Sequence, residues 1–304
     1  MKILSYRQNN NPGVGVMYDN QQIISLANAD PTFPKTLREI LEIDPHLQHV
    51  QGLIVGKTPD LSLDQIVFDP VIPEPHATWA LALNYKLHIE ETGLTTSKEY
   101  PQIFLRMPIC QVGHKEALWA PRLKIAEAYD YEGELAVIIG KRGRYIKPEN
   151  AFEHIAGYSC YNEGSVREYQ SQNRQFGLGK NFERSGSFGP WLVTRDEFGE
   201  PAERTIVTRL NGVERQNAKI SGMLFDVAQI VSFLSIGYTL QPGDVIVTGS
   251  PGALPLRPGE EPEPPRGPVI VEGQLHMRAG DICEVEIDGI GKLSNPVIED
   301  PTPS

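Results

Sequence analysis

The stretch from residue 130 to residue 140 constrains the fold more than any other part of the chain. It is rich in β-branched and apolar residues and ends in glycine, a pattern that predicts a strand. Successive side chains on a strand point to opposite faces, so Glu132 and Glu134 share one face with Ala136 and Ile138. Two carboxylates side by side on an apolar strand repel each other and lose hydration. One of them must therefore hold a proton, or a cation must lie between them.

A hard divalent cation is the simpler answer, because Mg²⁺ and Ca²⁺ prefer oxygen ligands. The alternative is a strand whose glutamate face meets water, since a short motif is only a hypothesis until its surroundings are known.

Composition sets limits on the class of protein. The chain has 304 residues, enough for one large domain or two. Its formal net charge of −11 argues against general binding to nucleic acid or to an anionic membrane, both of which need a basic surface. No apolar run reaches the roughly 18 residues of a membrane span, and the start of the chain soon turns polar, unlike a signal peptide. We therefore expect a cytoplasmic globular protein.

The cysteines agree with that expectation. Cys110, Cys160 and Cys283 are far apart and odd in number, which suggests neither a disulfide framework nor a zinc site. We expect each to be a small buried side chain.

The chain divides into a small α/β module over residues 1–75 and a larger region over residues 76–304. In the module, two short strands flank a turn at Asp19, and Thr36 with Glu39 predicts a capping box. Prolines then mark a linker at positions 70, 73 and 75.

The larger region predicts an α+β, strand-rich fold. Six segments are typical of strands: 103–106, 134–139, 157–161, 191–194, 245–248 and 283–287. Pro148 predicts a helix that stops at Gly157, and Ser221 is the predicted cap of a helix that stops at Gly237. The proline-rich segment 254–268 cannot form regular structure; it is a solvated loop or a cover over an active-site mouth.

A second acidic run starts at Glu163, just beyond the predicted strand 157–161. Taken alone, this glutamate is typical of a protein surface. Its significance comes from the order of motifs in which it stands. These are Asn84-Tyr85-x-x-His88-x-x-Glu91, Phe104-Leu105-Arg106, Asp130-Tyr131-Glu132-x-Glu134-Leu135, Asn162-Glu163-x-Ser165-x-Arg167, Gly179-Lys180-Asn181-Phe182, Gly189-Pro190-Trp191, Leu240-Gln241-Pro242-Gly243-Asp244, Thr248-Gly249-Ser250-Pro251-Gly252 and Ile290-Gly291-x-Leu293-x-Asn295-Pro296-Val297.

This series resembles the fumarylacetoacetate hydrolase family over about residues 78–298. The resemblance implies a mixed β-sandwich roll that binds Mg²⁺, or Mn²⁺ or Ca²⁺, through carboxylates. Glu132 and Glu134 match the paired glutamate ligands of the family. Glu163 matches a ligand position that is usually aspartate, so the carboxylate is kept and a methylene is added.

The same resemblance assigns candidate catalytic residues. His88 and Glu91 match the catalytic histidine and glutamate; three residues apart, they share one face of a helical turn. Histidine titrates near neutrality and can take a proton from water, whereas without the family an exposed polar loop is the favoured interpretation. Lys180 matches a lysine that would bind a substrate carboxylate or stabilise an enolate, against the default of a surface lysine.

Other positions are implied to bind substrate or to support the ligands. Arg106 stands where many relatives have lysine, and its guanidinium can hold a carboxylate in bidentate fashion. Gln170 and Thr248 are implied substrate hydrogen-bonders, and Tyr131 and Arg167 are implied supports that orient the ligands.

The implied reaction is metal-dependent hydrolysis of a carbon–carbon bond in a 3-acylpyruvate-like diketo acid, since His88 and Glu91 together favour attack by water. Decarboxylation of a 2-keto diacid and isomerisation of a 2-hydroxy-dienoate use the same metal–enolate chemistry and stay open. A metal-stabilised binding protein is the alternative outside enzymes. The expected partner is a small keto acid, and the resemblance also implies a homodimer.

Overall fold

The strands of the chain lie mainly in one large mixed sheet. The computed structural model describes residues 1–86, 89, 99–170, 172, 175–261, 263 and 275–303. Within this part, twelve strands form the large sheet: β1 Lys2–Gln8, β2 Asn11–Met17, β3 Gln22–Ser25, β4 Leu61–Ser62, β5 Val67–Phe68, β6 Thr78–Ala82, β7 Gln102–Arg106, β8 Gln111–Val112, β11 Gly133–Ile139, β12 Ile155–Asn162, β14 Gly186–Thr194 and β17 Val245–Val247. The main path runs β4-β3-β2-β1-β14-β12-β11-β17-β6-β7, with β5 on β1 and β8 on β14.

Two smaller assemblies complete the described strands. A five-stranded sheet has the order β16-β15-β18-β19-β9, with β9 Leu118–Ala120, β15 Thr205–Leu210, β16 Val213–Lys219, β18 Ile282–Ile287 and β19 Gly291–Glu299. A two-stranded ribbon pairs β10 Tyr129–Asp130 with β13 Ser165–Val166. The strand-rich α+β class predicted from the sequence is confirmed.

Helices are short in the described residues. The α-helices are α1 Leu26–Ala29, α2 Leu37–Ile43, α3 Gln48–Leu53, α4 Arg167–Gln170, α5 Arg195–Phe198 and α6 Val227–Gly237. Single 3-10 turns or short 3-10 helices lie at Pro108–Cys110, Pro148–His154, Leu178–Lys180, Pro201–Glu203 and Ile220–Gly222. None of the described helices is both long enough and apolar enough to cross a bilayer.

Two predicted helix boundaries are wrong. The segment after Pro148 is a 3-10 helix that ends at His154, and Gly157 already lies inside β12. The last helix begins one residue after Asp226, not after Ser221. The Asp226 carboxylate accepts the Gln229 N–H at 2.8 Å, and the Gln229 side-chain oxygen accepts the Asp226 N–H, so the two residues form a capping box. The predicted stop at Gly237 and the capping box of Thr36 with Glu39 are confirmed.

The first strand of the leading segment is part of the large sheet. β1 pairs antiparallel with β14, with Ile3 opposite Leu192. The hairpin of β2 and β3 turns at Asp19, whose carboxylate accepts the N–H groups of Gln21 and Gln22 at 2.8 Å. The division at residue 75 stays a prediction.

β11 lies between two apolar cores, one on each face of the large sheet. Leu135, Val137 and Ile139 pack into one cluster, which includes the inner face of α6. Ala136 and Ile138 pack into the other, together with residues of β1, β2 and α2. The alternation predicted for this strand is therefore present, and Glu134 lies on the face of Ala136 and Ile138.

Candidate active site

The site lies where an antiparallel pair of strands leaves the large sheet. β11 pairs with β12, with Gly133 opposite Asn162, and the same two chain segments meet again in the small ribbon, with Asp130 opposite Ser165. Glu132 and Glu163 occupy the two breaks between these ladders, and the Glu163 N–H donates to the Glu132 carbonyl at 2.8 Å. The register of the pairing therefore places residues 31 positions apart in the chain side by side.

Three carboxylates meet at this break. Oxygen atoms of Glu132, Glu134 and Glu163 all lie within 4.8 Å of one another, and each side chain is buried. Oε1 of Glu163 is buried without a hydrogen-bond partner among the described residues. Three carboxylate ligands, one with an oxygen that accepts no hydrogen bond, fit the preference of a hard divalent cation.

Cationic side chains surround the carboxylates. Lys180 Nζ donates to Glu132 and also to Glu163 Oε2 at 2.7 Å. Arg167 bridges Asp130 and Glu132, with N···O distances of 2.5 and 3.1 Å. Arg106 Nη1 lies 3.6 Å from Glu163 Oε1 and donates to the Gly164 carbonyl at 2.9 Å. Buried charges persist only when they are paired in this way.

The surroundings push the carboxyl pKa values in opposite directions. Burial alone would raise the pKa of Glu132, but Arg167 and Lys180 outweigh it and hold that pKa well below its usual range. Burial, followed by the negative charges of Glu163 and Glu132, raises the pKa of Glu134 well above its usual range. Burial also raises the pKa of Glu163, although Lys180 and Arg106 oppose it. These carboxyls thus differ in how readily they give up a proton.

Two glycines allow the backbone to approach the carboxylates. Gly249, at φ 94°, donates its N–H to Glu134 Oε2, and an added Cβ would lie 2.7 Å from Asn84 Cβ. Gly133 separates the paired glutamates, and a Cβ there would lie 2.0 Å from Thr208 Oγ1. Glycine is therefore needed at both positions for packing, and at Gly249 also for its left-handed backbone.

The remaining predicted residues are placed as follows. Gln170 is buried and its Oε1 accepts from Arg167 Nη1 at 2.7 Å. The Thr248 hydroxyl donates to the Leu135 carbonyl at 3.1 Å. The described hydrogen bonds of Arg106, Gln170 and Thr248 are thus with protein groups, and their part in substrate binding stays a prediction. His88 and Glu91 lie outside the described residues.

Sequence reasoning assigned no role to Asn162 and Ser165. The Ser165 hydroxyl donates to Glu132 Oε2 at 2.7 Å, and Asn162 Oδ1 accepts the Glu132 N–H at 3.2 Å. Both flank Glu163, and their polar side chains beside a candidate ligand were the available signal. The three cysteines are free and buried, as predicted.

The proline-rich segment is attached to the protein in its described part. Arg215 makes two hydrogen bonds of 2.7 Å to the carboxylate of Glu260, and the Leu254 N–H donates to the Arg215 carbonyl at 2.6 Å. Residues 262 and 264–268 of the segment lie outside the described residues. Residues 254–261 are thus anchored on β16, and residues 255, 257–259 and 261 are exposed.

Comparison with known proteins identifies the family. The model of the fumarylacetoacetate (FAA) hydrolase C-terminal domain matches residues 77–298. Oxaloacetate tautomerase YisK of Bacillus subtilis (strain 168) is 32% identical over 314 aligned residues, covering 98% of this chain and 100% of the relative. Each of these two matches spans most of the chain.

Solved structures give the same result. Fumarylacetoacetate hydrolase (EaFAH) from psychrophilic Exiguobacterium antarcticum is 30% identical with a TM-score of 0.76, covering 99% of this chain and 100% of that one. Maleylpyruvate hydrolase from Sphingobium sp. SYK-6, in complex with manganese(II) ion and pyruvate, is 23% identical with a TM-score of 0.76, covering 98% and 99%, and shares the fold. On the family model and on these full-length similarities, the chain is a member of the fumarylacetoacetate hydrolase family.

Proposed function

We propose that this protein is a divalent-metal-dependent tautomerase that moves a proton between the keto and enol forms of a 2-oxo dicarboxylic acid such as oxaloacetate. The observation that carries the proposal is the position of Lys180 Nζ between Glu132 and Glu163, inside a buried cluster of carboxylates. The full-length similarity to an oxaloacetate tautomerase supports the choice of reaction.

The charges of the cluster favour an anionic substrate. The three clustered glutamates and the described charged side chains around them comprise four buried carboxylates and three buried cations, namely Asp130, Glu132, Glu134, Glu163, Arg106, Arg167 and Lys180. Fully ionised, they carry one net negative charge, and a divalent cation would reverse the sign. A net positive, water-poor site attracts a carboxylate and stabilises negative charge that develops on an oxygen atom.

Glu132, Glu134 and Glu163 would hold the cation, for which Mg²⁺, Mn²⁺ and Ca²⁺ all suit the oxygen donors. When bound, the cation would supply positive charge to the substrate's keto and carboxylate oxygens and so favour the enolate. Arg167 keeps Glu132 oriented and ionised through its 3.1 Å contact with Oε1.

Lys180 is the described residue best placed to handle the proton. Its Nζ carries donors beyond those used by Glu132 and Glu163, since an ammonium group has three. The remaining N–H would donate to the enolate oxygen as charge develops there. In the keto-to-enol direction a water molecule would take the proton from the carbon next to the keto group, Lys180 would pass a proton to the oxygen, and the resulting amine would recover a proton from the hydronium ion. The net reaction breaks one C–H bond and forms one O–H bond.

Hydrolysis of a carbon–carbon bond in a 3-acylpyruvate-like diketo acid is the second candidate. The sequence His88-x-x-Glu91 and the similarity to EaFAH favour it. His88, oriented by Glu91, would take a proton from water as it adds to the distal carbonyl. The carbon–carbon bond then breaks, and the departing enolate takes up a proton.

An activity screen separates these candidates. Enol-oxaloacetate, an acylpyruvate and a 2-hydroxy-dienoate diacid are each supplied with Mg²⁺, with Mn²⁺ or with a chelator. We expect faster loss of the oxaloacetate enol absorbance, dependent on the metal and reduced about 100- to 1,000-fold in Lys180→Met. The control is Lys292→Met. It also removes a lysine from an ion pair, with Glu284 at 2.8 Å, but this lysine side chain is 49% exposed.

The screen can also reject the proposal. Release of pyruvate from the acylpyruvate, abolished in His88→Ala, would make the protein a hydrolase. Full activity in the presence of the chelator, or full activity of Lys180→Met, would contradict the proposed chemistry in either form.

A further inference from the structure

Gln216 is a buried amide that touches the acidic cluster only through the backbone. It lies on β16 with 2% of its surface exposed. Its Oε1 accepts the Gly133 N–H at 2.9 Å, and its Nε2 donates to the Pro251 carbonyl at 2.7 Å. One side chain of the five-stranded sheet thereby joins the large sheet to the loop after β17.

Both contacts of Gln216 lie close in the sequence to the acidic cluster. Gly133 is the residue between Glu132 and Glu134. Pro251 is two residues beyond Gly249, whose N–H donates to the Glu134 carboxylate. We propose that Gln216 is a positioning residue, which fixes the separation of the Glu132 and Glu134 carboxylates and so sets the affinity of the cluster for a divalent cation.

The strand pairing explains why a side chain is needed here. β17 pairs with β11 only from Ala136 to Ile138, so the ladder ends before Gly133 is reached. The Gly133 N–H is buried and faces β16, where Gln216 is the group that accepts its hydrogen bond. Without that acceptor, the buried amide loses its hydrogen bond, and the peptide between the two glutamates loses its anchor on this side.

The effect on a cation follows from geometry. Mg²⁺ and Mn²⁺ tolerate little change in the positions of their oxygen ligands, Mg²⁺ least of all. Groups that orient such ligands without touching the ion commonly change its affinity about 10- to 100-fold when they are removed. The inference rests on the proposed function only in requiring that the cluster binds a cation; it does not depend on which reaction follows.

The test is calorimetric titration of the metal-free protein with Mn²⁺. Gln216→Met keeps the length of the side chain and removes both hydrogen bonds, and we expect it to bind Mn²⁺ about 10- to 100-fold more weakly. Hydrogen exchange of the peptide covering residues 132–134, measured without metal, should accelerate in the same variant, because the Gly133 N–H has lost its acceptor.

A matched control distinguishes positioning from a general loss of stability. Asn295 is also buried, and its amide donates to the carbonyls of Gly113 and Glu116 at 2.8 Å. Asn295→Leu should lower the melting temperature about as much as Gln216→Met yet leave Mn²⁺ affinity within about twofold of the parent. Gln216→Asn keeps the amide but has a shorter side chain, so it should also bind Mn²⁺ more weakly. If Gln216→Met does not fold, the Mn²⁺ affinity of Gln216→Asn is the test of the inference.

Three results would overturn the inference. Parental Mn²⁺ affinity in folded Gln216→Met or, failing that variant, in Gln216→Asn would show that Gln216 merely supports the fold. An equal loss of affinity in Asn295→Leu would show the same. A parent protein that binds no Mn²⁺ would remove the cation site itself, whereas a parent that binds Mn²⁺ tightly but does not turn over oxaloacetate would leave the inference standing and overturn only the proposed reaction.

Discussion

The two ends of β11 are both buried, but they are stabilised in different ways. From Leu135 to Ile139 every side chain is apolar and packs into one of the two cores on either face of the sheet. At the other end carboxyl groups replace that packing: Glu134 accepts the Gly249 N–H, and Glu132, just before the strand, is paired with Lys180 and Arg167. Apolar burial stabilises without needing a partner, whereas each buried charge needs its partners in place.

This difference indicates where the chain gives up stability for chemistry. Like charges that share a buried site destabilise one another, and the raised pKa of Glu134 reflects burial together with Glu163 and Glu132. A chain selected for stability alone would continue the apolar pattern to the start of the strand. Neutralising a carboxyl group at the acidic end is therefore expected to raise the stability of the metal-free protein, whereas truncating a side chain at the apolar end is expected to lower it.

The largest effect is expected at the acidic end, from Glu134→Gln. A neutral amide is a poor ligand for a hard cation, so Mn²⁺ affinity and metal-dependent turnover should both fall by at least about 100-fold, beyond the upper range for groups that only orient a ligand. The metal-free protein should become more stable at neutral pH, because folding no longer has to bury a carboxylate beside two others or to protonate it, while the amide oxygen can still accept the Gly249 N–H. Calorimetric titration and thermal unfolding measure the two quantities.

Glu149→Gln, which removes an exposed carboxylate, is the control for this variant. Its melting temperature and Mn²⁺ affinity should match those of the parent. If metal-free Glu134→Gln has a lower melting temperature than the metal-free parent, the clustered carboxyl groups do not destabilise the fold.

The next effect belongs to the apolar end. Ile138→Ala removes buried methyl groups from a packed core and should lower the free energy of unfolding by about 2–5 kcal/mol. Because Glu134 is four residues away and keeps its contacts, Mn²⁺ affinity of the folded variant should stay within about twofold of the parent. Denaturant unfolding and titration at a temperature where the variant is folded test both statements, and a large loss of affinity would mean that the two ends are coupled through the strand.

Sequence reasoning succeeded where the determining interactions are local. The strand at residues 134–139 follows from its own run of β-branched and apolar residues, and the capping box of Thr36 with Glu39 follows from spacing within one turn. Ser221 and Asp226 are both good N-caps, and the choice between them was not local. The Leu224 N–H donates to the Asn84 carbonyl, which holds the chain outside the helix until Asp226.

The candidate site shows the same division. The proximity of Glu132 and Glu134 was predicted from one continuous strand, although β11 begins only at Gly133 and Glu132 lies in the break before it. Glu163 joins them through the register of β11 and β12 and was reached by family resemblance. Gln216 carries no local signal, because its contacts lie 83 and 35 residues away in the chain. The pairing of β1 with β14 likewise depends on which sheet edge is open, a property of the assembled fold.

The smallest effect is expected at a half-buried ionisable group outside the acidic cluster. Burial, and then the positive charges of Lys115 and Lys292, lower the pKa of His114 from 6.5 to about 4. Its ring packs edge-on against Phe68, and Nδ1 accepts the Ser294 N–H at 3.1 Å, so protonation would break a bond that the neutral ring makes.

Since the pKa of His114 is lower in the folded state than in the unfolded state, its contribution to stability is fully present above pH 6.5. The contribution is lost as the pH falls from 6.5 towards 4, by about 1–2 kcal/mol between pH 7 and pH 5. In His114→Asn the amide oxygen can still accept the Ser294 N–H but does not titrate, so the loss of stability between pH 7 and pH 5 should be smaller. His46→Asn, at an exposed histidine, should leave that loss unchanged. Urea unfolding of the three proteins at pH 5, 6 and 7 measures the difference. If the free energy of unfolding of His114→Asn falls with pH as steeply as that of the parent, the loss comes from other groups. In the metal-free protein, the first of these groups to test are those at the acidic end of β11.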